Sequence, residues 1–254
     1  MIQNISAVVL AKNNEATLLK TLQALQKFED VVVYDNGSTD SSLTIAKSFS
    51  NVNLIEGEFK GFGWSKNRAA SFAKNDWILI VDSDEVVNQI LYNTLLSTQL
   101  DKNTVYIINF RAFYRDTEVK HCGWNNQKIK RLYNKAVTNY NDNDVHEDIQ
   151  TEGLNTQILQ GDMLHYSYQT IEQFVNKANT YSTLFANNNV GKKSSSPLKA
   201  VLNGTYSFIK TYFFKQGFRD GYIGLIIAYS HMVTNFYKYI KLYELNQEKL
   251  NEKL

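Results

Sequence analysis

Hydrophobic and polar positions follow two alternating rhythms along the first 85 residues. Short, mainly apolar runs typical of buried strands alternate with segments whose apolar residues recur every three or four positions, as on one face of a helix. The strand runs are ISAVVLA, DVVVYD, NVNLIE and WILIVD, at residues 5–11, 30–35, 51–56 and 77–82. Helices are predicted from Asn14, from the NGSTD turn to about Ser50 with Ser38 or Thr39 as N-cap, and from Gly63 to Lys74. Because the strands are mainly apolar, the pattern predicts an α/β fold with a parallel sheet covered on both faces.

The pattern changes after about Thr104. VYIINF and KIKRLYN, at residues 105–110 and 128–134, are strand-like and predict a smaller mixed sheet that extends the first one. From Ile171 onward the signal is helical, with two long segments at about residues 198–216 and 220–246. The chain is therefore expected to consist of an α/β part, residues 1–169, and a helical extension, residues 170–254.

Composition places the chain among globular proteins and limits its chemistry. It has 254 residues, 43% of them hydrophobic and 20% charged. Cys122 is the only cysteine, which excludes an internal disulfide and a thiolate zinc cluster and fits a reducing cytoplasm. The N-terminus lacks the basic start and long apolar run of a signal peptide, and no stretch approaches the roughly 18 apolar residues of a membrane span. We therefore expect a protein made and kept inside the cell.

Charge is distributed unevenly along the chain. Residues 1–169 carry 16 Lys or Arg and 20 Asp or Glu, whereas residues 170–254 carry 11 and 5. An acidic first part joined to a basic second part indicates that the two face different partners.

Polar residues follow three of the predicted strands where each one ends. Asp35 and Asp82 terminate two of them, and Asn13 to Glu15 follow the first. Parallel strands place their C-terminal ends along one edge, where open α/β sheets bind ligands. The sequence therefore predicts a ligand crevice at this edge.

The stretch WILIVDSDEVV brings three carboxylates into four positions, Asp82, Asp84 and Glu85. Such close like charges need a positive group between them. Acids at the ligand edge are well placed to hold Mg²⁺ or Mn²⁺, which prefer oxygen ligands and often bridge carboxylates to phosphates; a solvated turn is the simpler alternative. The spacings of an EF-hand, a zinc-protease helix, a P-loop and a dinucleotide-binding glycine motif are absent from the sequence.

The order of motifs resembles the family-2 inverting glycosyltransferases, which have the glycosyltransferase A fold. VVLAKNNE, VVVYDNGSTD, GFGWSKNRAASFAKNDWILIVDSDE, KIKRLYN, VHED, LHYSY and QGFRDGYIGL carry the resemblance across nearly the whole chain. It is greatest to the bacterial branch that adds glucose to the inner core of lipopolysaccharide or lipooligosaccharide. The resemblance implies a nucleotide-diphospho-sugar transferase whose catalytic part is residues 1–169.

The resemblance also implies roles for individual residues of a donor site. Asp35 would bind the uracil of a UDP-sugar. The sequence has Ala11-Lys12-Asn13 where many members have a proline and a base-stacking aromatic residue, so the resemblance does not indicate what stacks on the uracil. The remaining implied donor-binding residues are Asn13, Glu15, Lys66, Asp82, Ser83 and Arg131, although Arg131 could equally be a solvated strand residue. The implied ligands of Mn²⁺ or Mg²⁺ are Asp84, His165 and Asp82, with a purely structural histidine as the alternative for His165.

Transfer with inversion requires a general base near the acceptor hydroxyl, and a carboxylate within hydrogen-bond reach suffices. Glu147 in VHED matches the family's base position, and Asp148 is the second choice because successive side chains of an extended segment point to opposite sides. A surface acid in a polar loop is the alternative reading of Glu147.

The helical extension combines aromatic and basic residues. Twelve aromatic residues lie between Tyr206 and Tyr243, interspersed with lysines. This mixture is typical of an interfacial helix on anionic lipid; packing on the catalytic part or formation of a homodimer is the alternative. No nucleic-acid-binding module accompanies the basic residues, so nucleic acid is not an expected partner.

Together these features predict a metal-dependent transferase that moves a hexose, with glucose as the first candidate, from a UDP-sugar to a lipid-linked core acceptor. The expected location is the cytoplasm, peripheral on the inner face of the bacterial inner membrane. Alternatives are transfer to a capsule, teichoic acid or another glycan, or a non-catalytic nucleotide-sugar-binding scaffold.

Overall fold

The computed structural model describes residues 1–125, 127–141 and 147–251. The elements of the first half are β1 (Ile2–Ala11), α1 (Glu15–Leu25), β2 (Phe28–Asp35), α2 (Ser42–Lys47), β3 (Val52–Glu56), α3 (Phe62–Ala70), β4 (Trp77–Asp82), β5 (Glu85–Val87), α4 (Gln89–Ser97) and β6 (Thr104–Tyr114). Those of the second half are β7 (Thr117–Val119), β8 (Gln127–Asn134), β9 (Asn155–Tyr168), α5 (Ile171–Asn189), α6 (Pro197–Ile209) and α7 (Gly221–Asn251). A π-helical turn (Lys210–Phe214) and a 3₁₀ turn (Gly217–Asp220) connect α6 to α7.

The chain divides into two compact units. Unit 1 comprises Met1–Arg111 and Asn126–Tyr166, and unit 2 comprises Ala112–Asn125 and Ser167–Leu254. Residues 112–125 therefore belong with the helices, although the sequence placed them in the α/β part. The reason lies in their packing, because Ala112, Tyr114, Val119 and Cys122 share an apolar cluster with α5 and α7.

The strands form one nine-stranded sheet in the order β3-β2-β1-β4-β8-β6-β9-β5, with β7 paired to β6. β3, β2, β1 and β4 run parallel, whereas β8 pairs antiparallel with both β4 and β6. The predicted fold class, a parallel sheet extended by mixed strands and followed by helices, is confirmed.

The core of unit 1 lies on both faces of the parallel strands. Ile5, Ala7 and Val9 of β1 belong to one apolar cluster, together with residues of α1 and α4, while Val8 belongs to a second cluster with residues of α3. Alternate residues of a strand point to opposite faces, so β1 is buried on both. This accounts for its continuous apolar run from Ala7 to Ala11.

The β2–α2 connection differs from the prediction. The N-cap of α2 is Ser41, so the choice of Ser38 or Thr39 was wrong. The hydroxyl of Ser38 donates instead to the carboxylate of Asp35, and the Thr39 amide donates to the side chain of Asn13. Both residues are thereby used to shape the turn that precedes the helix.

Unit 2 exposes a broad apolar surface on α6, the two turns and the start of α7. Its exposed residues are Leu198, Val201, Leu202, Tyr206, Ile209, Phe213, Phe214, Phe218, Tyr222, Leu225 and Tyr229. Exposed Lys199, Lys210, Lys215 and Arg219 are interspersed with them. We call these residues the apolar-basic face. Within the described part of the chain, no helix combines the length and apolar character needed to cross a membrane.

Candidate active site

The strand register brings Asp35 and Asp82 to one edge of the sheet. Asp35 pairs with Ala11 at the end of β1, and Asp82 pairs with the neighbouring Leu10. This is the edge at which the parallel arrangement predicted a ligand crevice.

Arg131 of β8 is the positive group between the acids. Its Nη2 lies 2.6 Å from Asp82 Oδ2 and 2.6 Å from Glu85 Oε1. Arg131 is buried, so the reading of a solvated strand residue was wrong. Since its Nη2 is occupied by two carboxylates, its predicted contact with the donor pyrophosphate would require a different guanidinium nitrogen.

Glu85 is wholly buried and supports the loop after β4. Its Oε2 accepts a hydrogen bond from the Asp82 amide at 2.8 Å. Burial, together with the negative charges of Asp82 and Asp84, raises the pKa of Glu85 to about 8 in spite of Arg131. For Asp82, burial works in the same direction, but the charges of Arg131 and Lys66 outweigh it and hold the pKa below its ordinary value. Asp82 is therefore the ionised acid of the pair.

Lys66 links Asp82 to the candidate base. It lies buried on α3, with its Nζ 2.8 Å from Glu147 Oε1 and 3.9 Å from Asp82 Oδ1. A lysine buried at 5% side-chain exposure requires such partners, because an unpaired buried charge is costly. Residues 82, 66 and 147, distant in sequence, thus form one chain of charges at the sheet edge.

Contacts with α3 hold residues 140–141 against the helix that carries Lys66. The side chain of Asn67 exchanges two hydrogen bonds of 2.9 Å with the backbone of Tyr140. A Cβ at Gly63 would lie 1.9 Å from the carbonyl oxygen of Asn141, so only glycine permits this approach. Val145 and His146 of the VHED motif lie outside the described residues.

Asp148 is directed to a different partner from Glu147. Its carboxylate is exposed and lies 2.6 Å from Lys130 Nζ. The two neighbouring acids therefore separate as the alternation rule predicts. Only Glu147 joins Lys66 and Asp82.

Asp84 and His165 form a second polar pair. Asp84 Oδ2 lies 3.3 Å from His165 Nε2, and His165 is held opposite Glu85 by the pairing of β9 with β5. Burial tends to lower the pKa of His165, but the hydrogen bond and charge of Asp84 raise it overall.

The three predicted metal ligands are not assembled as one cluster. Among the described residues, no group of three or more His, Cys, Asp or Glu side chains is arranged to hold a metal ion. The physical reason is that Asp82 turns to Arg131 and Lys66, leaving Asp84 with His165.

Asp35, Asn13 and Glu15 shape the loops at the crevice. Asp35 Oδ1 accepts hydrogen bonds from the amides of Gly37 and Ser38 at 2.9 and 2.8 Å. Asn13 Oδ1 accepts from the Thr39 amide at 2.8 Å, and Glu15 Oε2 accepts from the Ser41 amide at 3.0 Å. The side-chain oxygens of these three residues, which were predicted to bind the donor, thus accept hydrogen bonds from backbone amides of the β2–α2 loop.

A pocket of about 430 Å³ opens at this edge. It is lined by Leu10, Ala11, Lys12, Asn14, Asn36, Phe59, Phe62, Asp82 and Ser83. Its volume falls within the range of about 300–1,000 Å³ typical of small-molecule sites. Asp82 and Ser83 were predicted to bind the donor and line this pocket. Phe59 and Phe62 were missed, and their only sequence signal was a pair of aromatics flanking the glycines of FKGFG.

Comparisons with known proteins agree with this architecture. The profile of the family described as "Glycosyl transferase family 2" matches residues 6–156. An uncharacterised glycosyltransferase of Rickettsia typhi is 30% identical over 265 residues, covering 98% of this chain and 90% of that protein. The lipopolysaccharide core biosynthesis glycosyltransferase LpsC of Rhizobium meliloti is 25% identical over 252 residues, covering 94% and 92%. Among solved structures, S. aureus TarS shares 17% identity at a TM-score of 0.49 and covers 85% of this chain and 45% of its own.

The profile match spans more than half of the chain, and it begins and ends within unit 1. The Rickettsia typhi relative extends the likeness to both ends. The chain therefore belongs to glycosyl transferase family 2 and has the glycosyltransferase A fold.

Proposed function

We propose that this protein transfers a hexose, with glucose as the first candidate, from a UDP-sugar to a lipopolysaccharide or lipooligosaccharide core acceptor with inversion. The observation that carries the proposal is the Glu147–Lys66–Asp82 chain of charges at the ligand edge of the sheet. Asp82, at one end of this chain of charges, lines a pocket of suitable size for a nucleotide, which supports roles for the Glu147 carboxylate and the Lys66 cation at the same edge.

The base is Glu147. Lys66 fixes one oxygen of its carboxylate through the 2.8 Å ion pair. The oxygen of the acceptor hydroxyl attacks the anomeric carbon from the face opposite the leaving diphosphate, and the hydroxyl proton passes to the Glu147 carboxylate. Lys66 at the same time supplies positive charge at the edge where the diphosphate departs, and preorganised charge of this kind stabilises the transition state.

Asp84 and His165 are the residues that would hold Mn²⁺ or Mg²⁺. A carboxylate oxygen and an imidazole nitrogen 3.3 Å apart are a suitable donor pair, since such metals usually take one or two protein carboxylates and complete their shell with substrate phosphates and water. When bound, the metal would stabilise the negative charge of the leaving diphosphate. Asp82 is not part of this set because Arg131 holds it.

The metal assignment has a direct test in binding. Asp84→Asn should weaken UDP binding in the presence of Mn²⁺, measured by calorimetry, while binding without metal changes little. Glu29→Gln, an exposed carboxylate on β2, is the control. Equal Mn²⁺ dependence in Asp84→Asn and wild type would remove Asp84 from the site.

The acceptor assignment is supported by the relative LpsC, which is described as a lipopolysaccharide core biosynthesis glycosyltransferase. Its likeness covers 94% of this chain and so includes the helices of unit 2. A lipid-linked acceptor lies at a membrane surface, and the apolar-basic face provides suitable chemistry for anionic lipid. The proposed location is therefore cytoplasmic, peripheral on the inner face of the inner membrane.

Donor class is tested by UDP release. Purified protein with Mn²⁺ and a core-oligosaccharide lipid acceptor should release UDP from UDP-glucose faster than from UDP-galactose or UDP-N-acetylglucosamine. Faster release from another of these donors would correct the sugar. Failure to turn over any UDP-sugar, in a protein that binds no UDP, would overturn the proposal.

A further inference from the structure

Two phenylalanines stand half-exposed at the mouth of the pocket. Phe59 and Phe62 are 48% and 50% exposed, and both line the cavity. Their ring centroids are 5.0 Å apart at an interplanar angle of 78°, an edge-to-face arrangement. Large apolar rings left in water beside a binding pocket are surfaces that a ligand can cover.

The loop that carries Phe59 is fastened to β2. Tyr34 donates a hydrogen bond from its hydroxyl to the Glu58 carbonyl at 3.2 Å, and Asn36 Nδ2 donates to the Gly57 carbonyl at 3.3 Å. A Cβ at Gly57 would lie 2.2 Å from the Tyr34 hydroxyl oxygen, so the glycine is needed for this contact. The loop is thereby tied to the sheet, which reduces the ordering that Phe59 would require on binding a ligand.

Phe62 is placed by the start of α3. It is the first residue of the helix, directly after Gly61, whose φ of 95° lies in the region that favours glycine. The same helix carries Lys66, one turn further on. Phe62 and Lys66 are therefore positioned by one element.

The remaining pocket-lining residues contain no aromatic ring. They are Leu10, Ala11, Lys12, Asn14, Asn36, Asp82 and Ser83. Only Phe59 and Phe62, among the described residues that line this pocket, offer a surface for a flat aromatic ligand, and they do so at the end of β1 where this chain has Ala11-Lys12-Asn13.

We propose that Phe59 and Phe62 form the platform that holds the nucleobase of the sugar nucleotide by ring contact. This inference rests on the proposed function, since it assumes a nucleoside diphosphate donor. Asp82 and Ser83 lie on the same pocket and lead to Asp84, so a base on the phenylalanine platform leaves the diphosphate free to extend toward Asp84 and His165.

The test compares ligands that contain different parts of UDP. Calorimetry should measure UDP, uridine and inorganic pyrophosphate, each with Mn²⁺, on wild type and on Phe59→Ala, Phe62→Ala and the double variant. Base stacking on an aromatic side chain contributes about 1–3 kcal/mol, or roughly 5- to 150-fold in Kd. We expect losses of this size for UDP and uridine, with the Kd of pyrophosphate within about twofold of wild type.

Matched variants separate stacking from loss of apolar surface. Phe59→Tyr and Phe62→Tyr keep a ring and should bind UDP like wild type. Ile90→Ala and Leu96→Ala remove exposed apolar side chains from α4 and should leave the Kd of both UDP and uridine unchanged. Thermal unfolding of every variant is measured in parallel, and half-exposed side chains are expected to shift the midpoint little.

The outcomes distinguish this inference from the proposed function. If wild type binds UDP and the double alanine variant binds it equally well, the platform is overturned while the donor class stands. The platform is also overturned if the double alanine variant loses affinity for pyrophosphate as much as for uridine, because the substitutions have then disturbed the whole pocket. If wild type binds neither UDP nor uridine, the proposed donor itself fails.

Discussion

At the residue scale, the site is organised by two buried cations. Arg131 separates Asp82 from Glu85, and Lys66 joins Asp82 to Glu147. The sequence showed the cluster of acids and led to a divalent cation as their partner. Arg131 could not be identified as that partner from the sequence, because it lies 46 positions from Glu85 and meets it only through the pairing of β8 with β4.

Removing Arg131 should destabilise the fold. Arg131→Met leaves the ionised Asp82 without its nearest cation and the buried Glu85 Oε1 without its hydrogen-bond donor, and breaking a buried pair from one side costs about 3 kcal/mol or more. Lys128→Met is the matched control on the same strand, since Lys128 is exposed and substitutions of exposed residues usually change stability by less than about 0.5 kcal/mol. Urea unfolding measures both free energies. Similar small losses in the two variants would show that Arg131 does not neutralise the buried acids.

At the element scale, the parallel strands, β6, β8 and the long helices were predicted close to where they occur, whereas β5, α4 and β9 were missed. β4 was predicted at the residues where it occurs, because a strand buried on both faces has an unbroken apolar sequence. β5 has only three residues and α4 nine, so neither carries enough periods to be recognised. β9 is mostly exposed over its first residues and lacks a continuous apolar run.

Packing of the π-helical turn against α7 should be pH-dependent. Thr211 Oγ1 lies 2.9 Å from His231 Nδ1. Burial, with the charges of Lys215 and Lys238, lowers the pKa of His231 to about 4. The unfolded chain therefore binds a proton more readily than the folded one between pH 6.5 and 4. The contribution of neutral His231 to the free energy of unfolding is therefore complete above pH 6.5 and is lost as the pH falls through 4.

His231→Gln keeps a hydrogen-bonding group and cannot titrate. Its thermal midpoint should fall less steeply than that of wild type as the pH is lowered over this window, while the two proteins behave alike above it. Parallel curves across the window would mean that the charge of His231 does not govern this contact.

At the scale of the whole molecule, charge and apolar surface divide along the chain. Residues 1–169 are net acidic, and residues 170–254 carry 11 Lys or Arg against 5 Asp or Glu. Sequence composition indicated this division. It could not show that the apolar residues are exposed, because aromatic residues at helical spacing more often belong to a hydrophobic core. In α6 the exposed large apolar residues are Leu198, Val201, Leu202, Tyr206 and Ile209.

The apolar-basic face should bind anionic lipid. At low salt, wild type should float with vesicles of phosphatidylglycerol and phosphatidylcholine and not with phosphatidylcholine alone. Phe213→Ser with Phe214→Ser should abolish flotation, whereas Val175→Ser with Leu184→Ser on α5 should not. If wild type does not float with the anionic vesicles, the face does not bind anionic lipid. If wild type sediments as a stable dimer and the Phe213/Phe214 double variant as a monomer, the face is the dimer interface.

The most direct measurement of the proposed transfer is kcat for Glu147→Gln beside Asp148→Asn, followed as UDP release with Mn²⁺, UDP-glucose and a core acceptor. The 2.8 Å pair with Lys66 places Glu147 in the site, whereas Asp148 pairs with Lys130 at the surface. Loss of a general base lowers the rate by about 10²–10⁴-fold. We expect a loss in this range for Glu147→Gln, with UDP binding retained, and near wild-type turnover for Asp148→Asn. Wild-type turnover by Glu147→Gln would contradict the assignment, and loss confined to Asp148→Asn would transfer it to Asp148.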